Sequence, residues 1–359
     1  MHPLCILKAM TPRETAPPKV SVIIPHWNGI EILEPCLRSL EACDYSNLEV
    51  VLVDNASSDD SVAFVRREFP QVVVIENEEN LGFAGGCNVG LREIDTEYFL
   101  VLNNDTTHDS DWIGPLVERM ESDPRIAAVQ PKIMSAQNPE VFDYAGGVGG
   151  LLDILAFPYA LGRIFTTTEK DDGYYDTPQD IFWASGTALL LRSSALDEVG
   201  LFDEDFFAHM EEIDLCWRLH NAGWRVVNAP ASRILHHSGW TLPPDRYQKK
   251  YLNHRNNLMM IIKNYPFPYL VPILPARLAL EGVAFVFSAL IRDWKRMAAI
   301  LMAIGWNFTH PFLLVRKHRE VGKTRQTSAV SKTFKKMYGG SIFFQYFLRG
   351  RKRARDIEE

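Results

Sequence analysis

The sequence predicts an α/β fold with a mainly parallel central sheet, because short apolar runs alternate with stretches that carry apolar residues at helical spacing. An unbroken apolar run such as Phe99–Leu102 is typical of a strand buried on both faces of a parallel sheet. Two of the runs end abruptly in polar residues, one in Asp54-Asn55 and the other in Asn103-Asn104-Asp105. Ligands of such sheets bind beyond the carboxyl ends of the strands. We therefore expect a binding site there, although Asn and Asp are also common turn residues.

The first 75 residues predict three strands separated by helices, as in a doubly wound sheet. Each strand is apolar, and the helical segments carry apolar residues three and four positions apart. The predicted order is strand Val20–Pro25, helix Glu31–Leu40, strand Leu48–Val53, helix Val62–Phe69 and strand Gln71–Ile75.

A glycine-rich stretch, Asn80–Leu91, follows the third strand and predicts a loop that enters a helix ending near Ile94. Glycines let the backbone approach a ligand closely, and a helix N-terminus offers free N–H groups to phosphate. The stretch is neither a dinucleotide-binding GxGxxG after the first strand nor a Walker loop, since no Gly-Lys-Ser/Thr follows. A flexible connector is the alternative interpretation.

Residues 135–180 are predicted to be irregular, and a strand over Ile181–Leu191 resumes the regular structure. Further on, Glu211, Glu212 and Asp214 open an apolar helix. Acids are favoured in the first turn of a helix by its dipole, which is the purely structural interpretation. Carboxyl groups crowded beside apolar surface have raised pKa values and suit a general base.

Two isolated residues are candidates for ligand contacts. His236 lies after a predicted strand, where a neutral imidazole is a suitable metal ligand, although a single histidine is more often structural. Arg255, within a helix predicted over Tyr247–Ile262, is either a solvated surface charge or a phosphate contact.

The composition favours a globular protein in a reducing compartment. Of 359 residues 47% are hydrophobic and 23% charged, which is ordinary for a protein with a real core. The five cysteines are scattered without a CxxC pair, which argues against a disulfide framework and fits the cytosol. We expect residues 1–19, which contain four prolines, to be a flexible leader rather than a signal peptide.

The C-terminal part, from residue 266 on, is predicted to be helical and basic. From Arg316 onward 13 Lys/Arg face only four Asp/Glu, although the whole chain has a net charge of −7. The apolar stretches 269–291 and 297–315 are interrupted by prolines and polar residues, so neither is a clean membrane span. We expect amphipathic helices on an anionic membrane surface; a soluble helical bundle is the alternative. No motif of a known nucleic-acid-binding module is present.

The order of these motifs resembles family 2 glycosyltransferases of the GT-A fold, and most of all the rhamnosyltransferase and galactofuranosyltransferase branch. The resemblance covers about residues 20–265, which we take as the catalytic domain. The motifs that carry it are Pro25 with Asn28, Asp54-Asn55, Asn80–Asn88, Asn103-Asn104-Asp105, Ser185-Gly186-Thr187, Glu211–Asp214 and His236.

The resemblance implies a role for each matching residue. Glu212 is the catalytic base, with Glu211 and Asp214 as less favoured acids of the same motif. Asp105 and His236 bind a divalent metal, Mg²⁺ or Mn²⁺; Asn103 replaces the first acid of the family's DxD motif, so one charge is missing. The nucleotide-sugar donor is contacted by Pro25, Asn28, Asp54, Gly82, Phe83, Asn88, Asn103, Asn104 and Arg255, and the acceptor by Trp183, Ser185 and Gly186.

The implied activity is a metal-dependent, inverting sugar transfer without a covalent enzyme intermediate. The leading expectation is rhamnose moved from dTDP-rhamnose to a lipid-linked or polysaccharide acceptor of the cell surface, on the inner face of the cell membrane. A nucleotidyltransferase would instead need a basic glycine-rich loop after the first strand, where this chain has Pro25-His26-Trp27-Asn28. A non-catalytic saccharide- or lipid-binding scaffold would not need Asp105, Glu212 and His236.

Overall fold

A computed structural model describes residues 16–237 and 246–358 and contains one eight-stranded sheet, in the order β3-β2-β1-β4-β11-β6-β12-β5. The first four strands are mutually parallel, as are β6 and β12, whereas β11 and β5 are antiparallel to their neighbours. The predicted mainly parallel sheet is therefore confirmed. The strands are β1 Val20–His26, β2 Leu48–Asp54, β3 Val73–Glu76, β4 Tyr98–Leu102, β5 Thr106–His108, β6 Ile126–Ser135, β7 Gly150–Leu152, β8 Pro158–Ala160, β9 Arg163–Ile164, β10 Thr167–Thr168, β11 Ala188–Arg192 and β12 Arg225–His236.

Both faces of this sheet are covered by apolar side chains. All five residues of β4 are buried; Phe99 and Val101 join one core, and Tyr98, Leu100 and Leu102 join the other. This division follows from the two-residue period of a strand. The helices are α1 Ile30–Glu41, α2 Ser61–Glu68, α3 Gly82–Glu93, α4 Ile113–Glu121, α5 Ser193–Val199, α6 Glu211–Asn221, α7 Tyr247–Asn264, α8 Phe267–Leu290, α9 Trp294–Thr309, α10 Pro311–Thr324, α11 Thr327–Lys335, α12 Ile342–Phe347 and α13 Arg355–Glu358.

The glycine-rich stretch is helical almost from its start, so the prediction of a long loop was wrong. Helix α3 begins at Gly82, and two of its glycines, Gly86 and Gly90, face the sheet. A Cβ at Gly86 would lie 2.6 Å from the Asn55 amide, and one at Gly90 would lie 2.6 Å from Ile23. The glycines are therefore needed because the helix packs unusually close to β1 and β2.

Residues 135–180 are irregular over most of their length, as predicted, but the sequence did not predict the short strands among them. They contain a second, four-stranded antiparallel sheet, β10-β9-β8-β7. Its strands are only two or three residues long, too short for the alternation that marks a strand in sequence. The strand predicted over Ile181–Leu191 begins only at Ala188, because the preceding residues form single bridges and a turn.

Helix α8 runs without a break through Pro272 and Pro275. By length and composition it is the one helix of the described residues that could cross a membrane, and the pair α9–α10, bent by 74°, passes the same test when counted as one. The C-terminal helices are also tied to the rest of the chain. Asp153 accepts a hydrogen bond from the backbone of Ile342, and Glu169 accepts one from Ala354. Of the predicted leader, residues 1–15 lie outside the described residues.

Candidate active site

The carboxyl ends of β1, β2 and β4 bring the predicted nucleotide-binding residues together. The Asn104 amide lies 2.8 Å from Nδ1 of His26, at the end of β1. Asn28, at a positive φ of 55°, accepts a hydrogen bond from the backbone of Ser58, just beyond β2. Asp54 is buried, and its Oδ2 accepts from the backbone of Ser57 while no donor among the described residues reaches Oδ1. A buried carboxylate oxygen needs a donor, and a nucleoside can supply one.

Asp105 and His236 form a buried pair at the same edge of the sheet. Nε2 of His236 lies 3.1 Å from Oδ1 of Asp105, and Nδ1 lies 2.8 Å from Oδ1 of Asp143. Burial alone would lower the pKa of His236, but the two carboxylates outweigh it and raise that pKa to about 10. With a carboxylate at each ring nitrogen the imidazole is protonated, so a metal ion would have to displace the proton from Nε2 while Nδ1–H stays on Asp143, as in metal-binding histidines.

The donor set of this pair fits a hard divalent cation. A carboxylate oxygen and an imidazole nitrogen are accepted ligands of Mn²⁺, and the carboxylate of Mg²⁺. The amide of Asn103 lies 3.5 Å from Nε2 of His236, so its side chain reaches the same place. No group of three His, Cys, Asp or Glu side chains within residues 16–237 and 246–358 is arranged as a metal site. An ion held here would therefore need further oxygens, which a nucleoside diphosphate carries.

Helix α6 begins with the two candidate bases, and their environments differ. Glu211 is buried; desolvation, followed by the charge of Glu212, raises its pKa well above the usual range. Glu212 is partly exposed, and desolvation raises its pKa to about 7 against opposing backbone N–H groups. Among the described residues no hydrogen-bond partner reaches Oε2 of Glu212. Glu212 is therefore the acid of this pair that can accept a proton near neutrality.

The turn at Gly186 and Thr187 lies between Glu212 and the strand end that leads to the metal-binding pair. The backbone carbonyl of Thr187 accepts a hydrogen bond from the backbone of Asn103, at the end of β4. One residue earlier, a Cβ built on Gly186 would lie 3.9 Å from Cβ of Glu212 and 2.9 Å from the ring of Phe83. Glu212 therefore lies near the carboxyl end of β4, the strand end that leads to Asp105.

Gly82 connects the start of α3 to the loop before Glu212. A Cβ at Gly82 would lie 2.5 Å from the backbone oxygen of Phe207, and the φ of Gly82 is +71°. The same oxygen accepts a hydrogen bond from the backbone of Ala84. Only glycine permits this close approach.

Five predicted site residues have their polar groups engaged within the protein. The indole of Trp183 donates to the carbonyl of Leu151, and the hydroxyl of Ser185 donates to Ala145. The amide of Asn88 bonds the backbone of Phe202 in both directions. These contacts favour structural roles for Trp183, Ser185 and Asn88. The other two are Asp214, whose oxygens bind Arg218, Lys263 and Asn264, and Arg255, which donates to Asp205 and Phe206.

Comparison with protein families decides what kind of site this is. The model of the family described as "Glycosyl transferase family 2" matches residues 21–200, half of the chain. The chain belongs to glycosyl transferase family 2. It is a glycosyltransferase, as the order of motifs predicted.

Relatives of this glycosyltransferase include two curated bacterial enzymes. N-acetylglucosaminyl-diphospho-decaprenol L-rhamnosyltransferase of Mycobacterium tuberculosis is 26% identical over 281 residues, which are 74% of this chain and 92% of the relative. Poly-beta-1,6-N-acetyl-D-glucosamine synthase of Staphylococcus aureus is 24% identical over 63% of this chain and 50% of the relative. The transferase thus spans about half of the second protein.

Solved structures similar to the transferase support the GT-A fold. GalNAc-T7 with UDP, GalNAc and Mn²⁺ has a TM-score of 0.58 and 16% identity, over 81% of this chain and 57% of the other. A mannosyltransferase from Pyrobaculum calidifontis, in complex with GDP-Man and Mn²⁺, has a TM-score of 0.51 and 17% identity over 90% of each chain. At these identities the likeness concerns the fold.

Two residues of the transferase's site were missed in the sequence. Asp143, which holds Nδ1 of His236, lies in the segment that appeared irregular and carries no motif. His26, which contacts Asn104, ends the first strand and resembles an ordinary turn residue. The pairing of β6 and β12, which runs to Ser135 and His236, leads into the segment with Asp143, but this pairing cannot be read from one sequence.

Proposed function

We propose that the transferase moves a sugar from a nucleotide donor to an acceptor hydroxyl in one inverting step, with Glu212 as the base. The observation that carries the proposal is the turn at Gly186 and Thr187, which links Glu212 to the strand end that leads to Asp105. A donor between these groups would have its diphosphate at the Asp105–His236 pair and its sugar towards Glu212. Asp54 and Asn28 would contact the nucleoside.

The chemistry follows from the protonation states. Glu212 accepts the proton of the acceptor hydroxyl, and the freed oxygen forms a bond to the anomeric carbon. The bond from that carbon to the diphosphate breaks as the new one forms, and the nucleoside diphosphate leaves with the electron pair. Burial of Glu211 disfavours its charged form, which lessens repulsion of the Glu212 carboxylate.

A divalent ion would be held by Asp105 and His236, with Asn103 beside them. When bound, it would neutralise charge on the departing diphosphate. The missing first acid leaves fewer protein ligands, so the ion should bind more tightly with a diphosphate than alone. The Mn²⁺ in the two similar structures supports a divalent ion, and Mg²⁺ and Mn²⁺ both remain candidates.

For the donor we propose dTDP-rhamnose, and for the acceptor a lipid-linked or polysaccharide chain of the cell surface. The support is the 26% identity to a rhamnosyltransferase named for a diphospho-decaprenol acceptor, together with coverage of 92% of that enzyme.

A thermal-shift screen of nucleotide sugars, each with and without Mn²⁺, tests the donor. We expect dTDP-rhamnose with Mn²⁺ to raise the melting temperature more than the other nucleotide sugars do. The shift arises because a ligand at about 100 times its Kd stabilises the folded state by about 2.7 kcal/mol. dTDP alone and GDP-mannose are the controls. A larger shift with another nucleotide sugar would overturn the proposed donor, and no shift with any of them would overturn the function.

We further propose that the enzyme works on an anionic membrane surface, with the outer faces of α8, α9 and α10 in the lipid interface. Large apolar side chains are exposed on these helices, including Leu290 at 77%, Phe308 at 70% and Phe312 at 90%. The charged residues of α8 instead face the catalytic domain: Glu281 is buried and lies 2.7 Å from His254 of α7. A helix fixed to the domain in this way can lie on a bilayer more easily than cross it.

Flotation with vesicles tests this surface. We expect wild type to float with phosphatidylglycerol-containing vesicles. The double variant Phe287→Ser, Leu290→Ser should bind these vesicles at least about tenfold more weakly, because it loses apolar area worth about 2 kcal/mol. Val73→Ser, at an exposed position of the edge strand β3, is the matched control. Equal flotation of the double variant and wild type would contradict the proposed membrane surface.

A further inference from the structure

The loop that delivers Glu212 has an unusual backbone. Phe207, His209 and Met210 have φ values of 63°, 69° and 76°, although none is a glycine. Such conformations are unfavourable for residues with a Cβ and persist only where surrounding contacts fix them. Met210 is the residue directly before α6, and its carbonyl accepts the hydrogen bond of the backbone of Asp214. The direction of the first turn of α6 therefore depends on this loop.

One side chain, Asn256 of α7, contacts most of the loop. Its amide nitrogen lies within hydrogen-bond distance of three backbone oxygens, those of Phe206 at 2.9 Å, Ala208 at 2.9 Å and His209 at 2.7 Å. Asn256 is completely buried, and its Oδ1 accepts a hydrogen bond of 2.8 Å from Nε of Arg255. Both ends of the amide are thus satisfied, and the donor end serves only the loop.

Arg255 adds a second contact from the same helix. Its Nη2 donates to the backbone oxygens of Asp205 and Phe206, and its guanidinium lies between the rings of Tyr251 and Trp306. These contacts hold Arg255 in place, and through Nε it fixes which way the Asn256 amide faces. The adjacent pair on α7 therefore binds the loop from residue 205 to residue 209.

We propose that Asn256 is a positioning residue of the transfer reaction, which sets the place of Glu212 by holding the backbone of residues 206–209. This inference rests on the proposed role of Glu212 as the base. A base must lie within about 2.6–3.2 Å of the hydroxyl that it deprotonates. A displacement of about 1 Å can slow an oriented reaction by about 10²-fold. The donor contacts of the proposed function, Asp54, Asn28, Asp105 and His236, lie on other elements, so donor binding should depend on Asn256 much less than turnover does.

The test compares Asn256→Asp with Asn257→Asp. The first variant keeps the shape of the side chain but replaces the amide N–H₂ group with a carboxylate oxygen, which cannot donate to the three backbone carbonyls. Asn257 is the matched control, since it is buried on the same helix and donates to a single distant carbonyl, that of Ala156, at 2.7 Å. We expect Asn256→Asp to lower kcat by about 10²-fold with KM for the donor within about threefold, and Asn257→Asp to keep kcat within about threefold.

Hydrogen exchange gives a readout that does not require turnover. In Asn256→Asp we expect faster exchange of the backbone amides of residues 207–212, and in Asn257→Asp we expect wild-type exchange there. Normal kcat in Asn256→Asp, or an equal loss in both variants, would overturn the positioning role. If Glu212→Gln is inactive while Asn256→Asp is normal, only this inference fails. If Glu212→Gln turns over normally, the assigned base fails, and the positioning role with it.

Discussion

Replacing Glu212 by Gln should lower kcat by about 10²–10⁴-fold, the usual contribution of a positioned general base. The amide cannot accept the proton of the acceptor hydroxyl, but it has nearly the same size and shape as the carboxyl. Oε2 of Glu212 has no hydrogen-bond partner among the described residues, so the substitution breaks no contact there. Donor affinity, measured by calorimetry with the nucleoside diphosphate and Mn²⁺, should therefore stay near the wild-type value.

Glu211→Gln is the matched control for this substitution. Glu211 is buried and its pKa is raised well above the usual range, which favours the neutral acid, so an uncharged amide should change kcat by less than about tenfold. The pH profile gives a further check. The pKa of Glu212 is raised to about 7, so wild-type kcat should fall as the pH drops below 7 and the carboxylate is protonated. A larger loss in Glu211→Gln than in Glu212→Gln would show that the base is Glu211.

The central sheet could be predicted from the sequence because its strands are continuous apolar runs. Such a run needs no partner to be recognised, since burial on both faces leaves no room for polar residues. Strands β7–β10 could not be found in this way, because two or three residues establish no period. The full extent of helix α8 could not be predicted for another reason. Pro272 and Pro275 are the sixth and ninth residues of the helix, yet α8 continues, which local propensity does not predict.

Only those site residues could be predicted that follow the end of a strand or match the order of motifs in the family. Asp54 and Asp105 come directly after apolar runs, and the fold brings such ends together. The arrangement around Glu212 depends instead on residues distant in sequence. Asp143 contacts the site from the segment that follows β6, and Asn256 contacts the loop before Glu212 from α7. No local pattern marks either residue. The sequence likewise places three acids at the start of α6 but does not show how their partners differ.

Asp214→Asn should destabilise the fold by about 3–5 kcal/mol, the usual cost of removing one partner from a buried ion pair. Asp214 is fully buried; its Oδ2 lies 2.9 Å from Nε of Arg218 and 2.8 Å from Nζ of Lys263, and its Oδ1 accepts from Asn264. Losing the carboxylate leaves two buried cations with less opposing charge. Lys263 keeps Asp203, at 2.7 Å, so the cost should fall towards the lower end of the range. The midpoint of urea unfolding measures the change.

The same variant separates a structural role of Asp214 from a catalytic one. If its carboxylate only secures α6 to α7, the folded fraction of Asp214→Asn should keep kcat within about tenfold when assayed well below its melting temperature. Glu76→Ala, which breaks the exposed pair with Arg66, is the control and should cost less than about 1 kcal/mol. Unchanged stability of Asp214→Asn together with a loss of kcat as large as that of Glu212→Gln would instead make Asp214 part of the chemistry. A buried carboxylate bound to two cations can be removed without cost to the fold only if those cations have other partners.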